Sequence, residues 1–316
     1  MRSWLVTLLA VAIAAVAVIF AGARLLSAPT RPPAVHARLP ASPASYLGVY
    51  EGGAPPSPAS IAGFAAAVGH HQPNLAGYFS GWAERFQTSY ALEVRRRGMI
   101  PFVQIDPSFA SVAGIASGAY DGYLRAYADS VRGYGYGVVI GFGHEMNAPW
   151  YSWGYGHTPP ATFVAAWRHI VTLFRARGAR NVTWLWTVNI IDDPHYGKIP
   201  SPARWWPGRQ YVTWIGIDGY YYHPSTSFSS LFGPTIAAVR QITGAPILIA
   251  ETAAVPAAGQ PAKIADLFAG VRLYGLLGFV WFDVTHPENW RLSSPEALAA
   301  FRRGARNYRR PAPGSS

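Results

Sequence analysis

Runs of apolar residues, five to seven long, alternate with longer amphipathic segments from Tyr46 onward. The runs are YLGVY (46–50), LAGYF (75–79), IPFVQI (100–105), GVVIGFG (137–143), NVTWLW (181–186), TWIGI (213–217), PILIA (246–250) and GFVWF (278–282). Short continuous runs of this kind suit strands buried on both faces. Between them lie segments of helical character, 58–69, 83–98, 120–135, 158–178, 230–244 and 262–275, and one more, 294–308, follows the eighth run. Several end in Gly after Arg, and SPAS, TPPAT and SPEA read as helix starts. The fifth connection, 192–210, has no helical pattern and reads as a long loop with one short turn. Eight strand–helix rounds in about 265 residues predict an α/β fold, a (β/α)8 TIM barrel forming one catalytic domain over 46–308. An open doubly wound sheet calls for a glycine-rich turn after an early strand. GYGYG (133–137) precedes a strand and opens no helix, so it is a turn.

The scarce acids sharpen this picture. The chain has 316 residues, half of them hydrophobic, but only 15 Asp and Glu. Six of those 15 fall at the C-terminal ends of predicted strands: Glu51, Asp106, Glu145, Asp218, Glu251 and Asp283. Barrel enzymes keep their catalytic groups at that rim, whereas soluble proteins normally leave acids on helix surfaces. Aromatics gather in the same loops: Trp82, Trp150, Tyr151, Trp153, Trp205, Trp206, Tyr220, Tyr221, Tyr222, Trp281 and Trp290. Flat aromatic faces beside carboxyl groups suit sugar rings, which stack by their C–H faces and offer hydroxyls to the acids.

The net charge of +11 does not point to nucleic acid. The arginines form no continuous stripe. Arg302, Arg303, Arg306, Arg309 and Arg310 cluster at the C-terminus, where 309–316 reads as a disordered basic tail, and Arg95–Arg97 end a predicted helix. There is no cysteine, which excludes disulfides and thiolate metal sites. The nine histidines are scattered, and the adjacent His70 and His71 point apart on most backbones, so neither a metal nor a cofactor is expected. No G-x-S-x-G turn supports a serine nucleophile. The Asn181–Thr183 sequon opens the fifth strand and reads as strand sequence, and Asp192, Asp193 and His195 fit either a substrate contact or a polar loop.

Residues 3–23 carry no charge and, as a helix, span about 30 Å, enough to cross a bilayer core. Segment 1–26 is thus a transmembrane anchor or, with Ala21-Gly22-Ala23 as a small-residue cleavage site, a secretory signal. Arg24, Arg31 and Arg38 just downstream weigh against export. Residues 27–45, rich in Pro, Ala and Ser, read as a semi-rigid linker. The expectation is a monomeric, exported or membrane-tethered protein, because its polysaccharide partner lies outside the cell.

Glu145 and Glu251 end strands four and seven, on opposite sides of the barrel mouth, so they can face each other across a bound sugar. Retaining glycoside hydrolysis needs such a pair, one carboxyl as acid/base and one as nucleophile. The stretches GHEMNAPWYSWG (143–154), WTVN (186–189), WWPGRQYVTWIGIDGYY (205–221) and PILIAET (246–252) resemble glycoside hydrolase family 26, the β-mannanase family of clan A. The resemblance runs from Tyr46 to about Trp290. It implies that Glu145 is the acid/base and Glu251 the nucleophile. It further implies that His144 shapes the subsite of the reacting sugar, that Trp150 is a sugar platform and that Trp281 is the floor beneath the sugar. Asp218 and Tyr220 match the family's Asp-Gly-Tyr, whose tyrosine bonds the nucleophile. Asn147, Trp153 and Asp106 join the expected substrate-binding set.

The residue types suit these roles. An acid beside GFG, Trp150 and Trp153 has a partly dry pocket to raise its pKa, and Tyr220 and His144 are available to donate to Glu251. The sequence departs from the family at Ala148-Pro149, at Thr252-Ala253-Ala254 and at Arg209, Gln210 and Thr213, positions read as loops that choose the substrate, so mannan, mixed glucans, xylan and an exopolysaccharide stay open. A non-catalytic carbohydrate-binding barrel is the rival reading, disfavoured by retention of both glutamates, and transglycosylation is the variant that sequence leaves open.

Overall fold

The computed structural model describes residues 39–306 and 308, except Ala54, Pro56, His71, Gln72, Pro194 and His286. The expected segment 1–26, most of the linker and the basic tail lie outside the described residues. Among the described residues no helix is long and apolar enough to cross a membrane.

All eight predicted strands form: β1 (Tyr46–Glu51), β2 (Leu75–Gly81), β3 (Ile100–Asp106), β4 (Val138–Phe142), β5 (Val182–Asn189), β6 (Trp214–Asp218), β7 (Ile247–Thr252) and β8 (Gly278–Asp283). They pair in parallel, each with its sequence neighbour, and β8 closes on β1, giving a closed barrel. The helices are α1 (Pro58–Ala67), α2 (Thr88–Arg96), α3 (Val112–Ala116), α4 (Asp121–Tyr134), α5 (Pro160–Ala176), α6 (Phe228–Ile242), α7 (Gln260–Leu273) and α8 (Pro295–Ala305). The start signals act as read. Ser57 caps α1 by accepting from Ser60 N, and Ser294 caps α8 by accepting from Ala297 N. Gly135 ends α4 with φ 77°, where a side chain would be strained. Helix α3 was not anticipated, because five residues are too few to show a period. The fifth connection holds a two-stranded hairpin, Asp192–Asp193 with Gly197–Lys198, and two 3-10 turns instead of a helix.

Alternation along the strands sorts side chains into two layers. Tyr46, Tyr50, Phe102, Val139, Leu185, Trp214, Leu248, Ala250 and Val280 fill the barrel interior. The intervening residues, such as Val49, Val103, Ile140, Trp186, Ile217, Ile249, Phe279 and Trp281, pack outward against the helices. Glycines make room for the largest inner rings: a Cβ on Gly77 would lie 2.5 Å from the Tyr50 ring. The chain packs onto the barrel before β1 begins, as Tyr46 Oη donates to Pro40 O (2.7 Å) and Ala44 N to Leu276 O (2.8 Å).

Candidate active site

Five strands run one or two residues past their apolar runs and take in an acid: Glu51, Asp106, Asp218, Glu251 and Asp283. In register across the rim, Glu51 pairs with Asp283, Gly81 with Asp106, Asn189 with Asp218, and Asp218 with Glu251. Strand β7 carries one extra residue beyond Ile249: Ile217 and Asp218 of β6 face Ile249 and Glu251, and Phe279 and Trp281 of β8 face Ile249 and Thr252. This bulge breaks the alternation, so that Ala250 points into the barrel and the next side chain, Glu251, also reaches the mouth.

A cavity of about 490 Å³ occupies that mouth, lined among others by Glu145, Glu251, His144, Asp106, Trp150 and Tyr220. Glu145 sits in the turn after β4 with φ 54°, a left-handed conformation that costs a non-glycine residue about 1–3 kcal/mol. Its neighbours fix it there. Glu145 N donates to Thr187 O (3.0 Å), its carbonyl accepts from Ala148 N (2.9 Å), and Trp153 Nε1 donates to His144 O (2.8 Å). The carboxyl is 7 % exposed and accepts from Trp150 Nε1 (2.7 Å). Burial pushes its pKa up, against the pull of the His144 charge and the Trp150 N–H. Glu251 is buried too, and accepts from Tyr220 Oη (2.8 Å). Burial, opposed by His144 and reinforced by the Glu145 charge, pushes Glu251 up to about 7.

His144 Nδ1 lies 3.0 Å from Asp106 Oδ1 and its Nε2 lies 3.1 Å from Tyr151 Oη. Burial pulls its pKa down, but the Asp106 carboxylate, helped by Glu251 and Glu145, outweighs that and raises it to about 9. The imidazole is therefore charged at neutral pH, and both ring nitrogens donate. Tyr151 Oη thus accepts from Nε2, leaving its own proton for a group in the cavity it lines.

The structure corrects several expected roles. His144 spends its nitrogens on Asp106 and Tyr151 and supplies Glu251 with charge only. Trp281 lies between the inward Val280 and Phe282, so alternation turns it outward, against Phe301 of α8, and Nε1 donates to Trp290 O (3.2 Å). It is no floor for a sugar; Phe282 and Trp290 line the cavity instead. Trp153 stacks under Tyr151 (centroids 4.3 Å, 9°) outside the lining. Asn147 is fully buried and ties the β4 turn to β5, donating to Asn189 O (2.9 Å) and accepting from Asn189 N (2.9 Å). Asp218 is also fully buried outside the lining. Burial, reinforced by the Glu251 charge, raises its pKa well above the usual carboxylate value.

Of the eleven rim aromatics, Trp150, Tyr151, Tyr220, Tyr222 and Trp290 line the cavity, and the rest belong to the outer core or pack against it. Tyr196, Phe79 and Asn189 line it without having been singled out. Phe79 and Asn189 occupy strand-end positions like those of the acids, a signal that parity counting on β2 and β5 carries. The departures fall elsewhere than expected. Ala148, Ala253 and Ala254 are fully buried outside the lining, and Arg209, Gln210 and Thr213 precede β6, at the opposite face of the barrel.

A closed barrel with paired carboxyls set among aromatic platforms at its C-terminal rim is the architecture of a carbohydrate-active enzyme. Residues 126–259 match the sequence model of glycosyl hydrolase family 26. The chain is 32% identical over 267 residues to Endoglucanase H of Acetivibrio thermocellus, an alignment covering 79% of this chain and 29% of that protein. It is 25% identical over 103 residues to Mannan endo-1,4-beta-mannosidase A and B of Caldalkalibacillus mannanilyticus, covering 30% and 19% respectively. The chain thus spans less than a third of either curated relative. Among solved structures, the catalytic domain of the Bacillus sp. JAMB-750 GH26 endo-beta-1,4-mannanase matches with a TM-score of 0.63 at 15% identity, over 83% of this chain and 86% of that one. The GH26 domain from Prevotella bryantii matches with a TM-score of 0.60 at 12% identity, over 82% and 88%. Both carry the fold. These matches relate the chain to glycosyl hydrolase family 26.

Proposed function

We propose that this chain is a retaining endo-β-glycanase that cleaves a mannan-like or related β-linked polysaccharide through Glu145 and Glu251. The observation that carries this reading is the differently supported glutamate pair: Glu145 beneath the Trp150 indole and Glu251 beneath the Tyr220 hydroxyl, in one cavity. Burial raises both carboxyls, and two neighbouring carboxyls lose their protons one at a time, so the pair passes through a state with a single proton. With that proton on Glu145, the reaction follows. Glu251 attacks the anomeric carbon while Glu145 gives its proton to the glycosidic oxygen, releasing the leaving chain and forming a glycosyl ester. Glu145, now a carboxylate, takes a proton from water, whose oxygen attacks the same carbon and frees Glu251. The His144 cation favours both carboxylate states, and Tyr151 offers a hydroxyl to the bound sugar.

The choice of sugar has support in two directions. The family's solved mannanases favour mannan, whereas the relative with 32% identity bears the name of an endoglucanase, a name given to a protein of which this chain covers 29%. A panel of β-mannan, glucomannan, lichenan and xylan, digested with wild type and Glu251→Ala, decides between them. Activity on one polymer that the variant lacks is the expected result; no cleavage of any, or equal cleavage by the variant, overturns the enzyme reading in favour of a binding barrel. We also propose that the chain acts outside the cytoplasm, exported or tethered by segment 1–26. Cell fractionation with N-terminal sequencing tests this, and a soluble cytosolic full-length chain would sink it.

A further inference from the structure

We propose that the hairpin following β5 presents Tyr196 as a second sugar platform on the leaving-group side of the cleft, so that this hairpin sets how many sugars the site grips beyond the broken bond. The proposal rests on reading Glu145 as the acid. An acid delivers its proton to the glycosidic oxygen, so the departing sugar lies on the acid's side. Trp150, bonded to Glu145 at 2.7 Å, borders that first departing sugar. The Tyr196 ring lies next to Trp150, with centroids 4.9 Å apart at 43°, and it too lines the cavity. It belongs to the position one sugar further out.

Tyr196 is 61 % exposed, in contrast to the buried tyrosines of the core. A ring open to solvent at the edge of a cavity, and continuous with the other lining rings, leaves a face free to stack on a ligand. Its backbone is nevertheless held. Asp193 Oδ1 accepts from both His195 N (2.8 Å) and Tyr196 N (2.9 Å), Lys198 pairs with Asp192 across the hairpin, and Ile199 N donates to Ile191 O (2.9 Å). On the other side, His195 stacks on Tyr222 (5.1 Å, 19°), which meets Trp290 edge-on (5.3 Å, 78°). The hairpin therefore bridges Trp150 to Trp290 in one arc of rings. A ring presented this rigidly loses little freedom when a sugar stacks on it.

The test compares wild type, Tyr196→Ala and Tyr196→Phe of the full chain on two substrate types. Unsubstituted mannohexaose and cellohexaose reach past Trp150; the chloronitrophenyl glycosides of mannobiose and cellobiose, with one small ring as leaving group, do not. Tyr196→Ala is expected to lose about tenfold in kcat/KM on the hexaose, through KM, and to stay within twofold of wild type on the aryl substrate. Tyr196→Phe, which keeps the ring, is expected to behave as wild type. Equal loss on both substrates would mean that Tyr196 only braces Trp150 and Glu145, and no loss on either would mean that it touches no sugar; each overturns the platform and leaves the hydrolase reading standing. A wild type that cuts neither substrate type nor any polymer of the panel removes the hydrolase reading, and the platform falls with it.

Discussion

The Trp150 indole donates its N–H to the Glu145 carboxyl at 2.7 Å, across a turn whose left-handed Glu145 backbone brings two residues five apart face to face. The bond favours the ionised carboxyl, while burial favours the protonated one. Trp150→Phe removes the donor and keeps most of the ring. The pKa of Glu145 then rises, so the alkaline limb of the kcat/KM profile moves to higher pH while kcat falls about tenfold. A limb that stays in place would show that the acid titrating there is not Glu145.

Tyr220 plays the corresponding part for Glu251. Hydrogen bonds to buried charged groups contribute about 1.5–3 kcal/mol, so Tyr220→Phe is expected to lower kcat roughly 10- to 100-fold with little change in melting temperature. An activity drop accompanied by equal loss of folded protein would instead mark Tyr220 as a packing residue.

A second acid pair sits on the same rim outside the cavity. Glu51 and Asp283 are buried side by side on β1 and β8, and Asp283 Oδ1 accepts from Leu292 N (2.7 Å). Burial and the Asp283 charge, against the pull of Arg291, push Glu51 up to about 8. A carboxyl raised in the folded state binds its proton more tightly there than when unfolded. Its contribution is therefore intact below its ordinary value near 4.5 and is lost as pH rises through about 8. Glu51→Gln is expected to flatten that decline and to stabilise the fold by about 2 kcal/mol at pH 9, measured by urea unfolding at several pH values. Unchanged pH dependence in the variant would rule the pair out as its source.

Trp281 separates the family-based expectation from the fold. Because it faces α8 and donates to Trp290 O, Trp281→Phe is expected to cost about 1–3 kcal/mol of stability and to leave KM within twofold. A tenfold rise in KM with stability intact would return Trp281 to the sugar.

Element types were legible because the strands are buried on both faces and helices such as α1 and α8 carry their own serine caps. The acids at the rim were legible as well, since carboxyls are rare in this chain and six of them share one structural position. Side-chain direction was harder to read. Trp281, Trp153 and Asn147 stand within a few residues of cavity-lining neighbours, yet strand parity or a hydrogen bond to backbone turns each away. Tyr196 escaped notice because its importance comes from contact with Trp150, 46 positions earlier in the chain, and no local pattern encodes that. The departures at 209–213 looked like substrate loops from their place in a motif, but a segment leading into a strand lies at the opposite end of the barrel from one leaving it.

The extra residue in β7 makes the nucleophile a matter of counting. Pairing the same residues without the bulge would restore perfect alternation, keep eight apolar strands and preserve every acid. It would also rotate Glu251 by half a turn of the strand, from the mouth into the layer beneath the helices. A barrel paired in that way would have the same sequence and have lost the phase on which its chemistry depends.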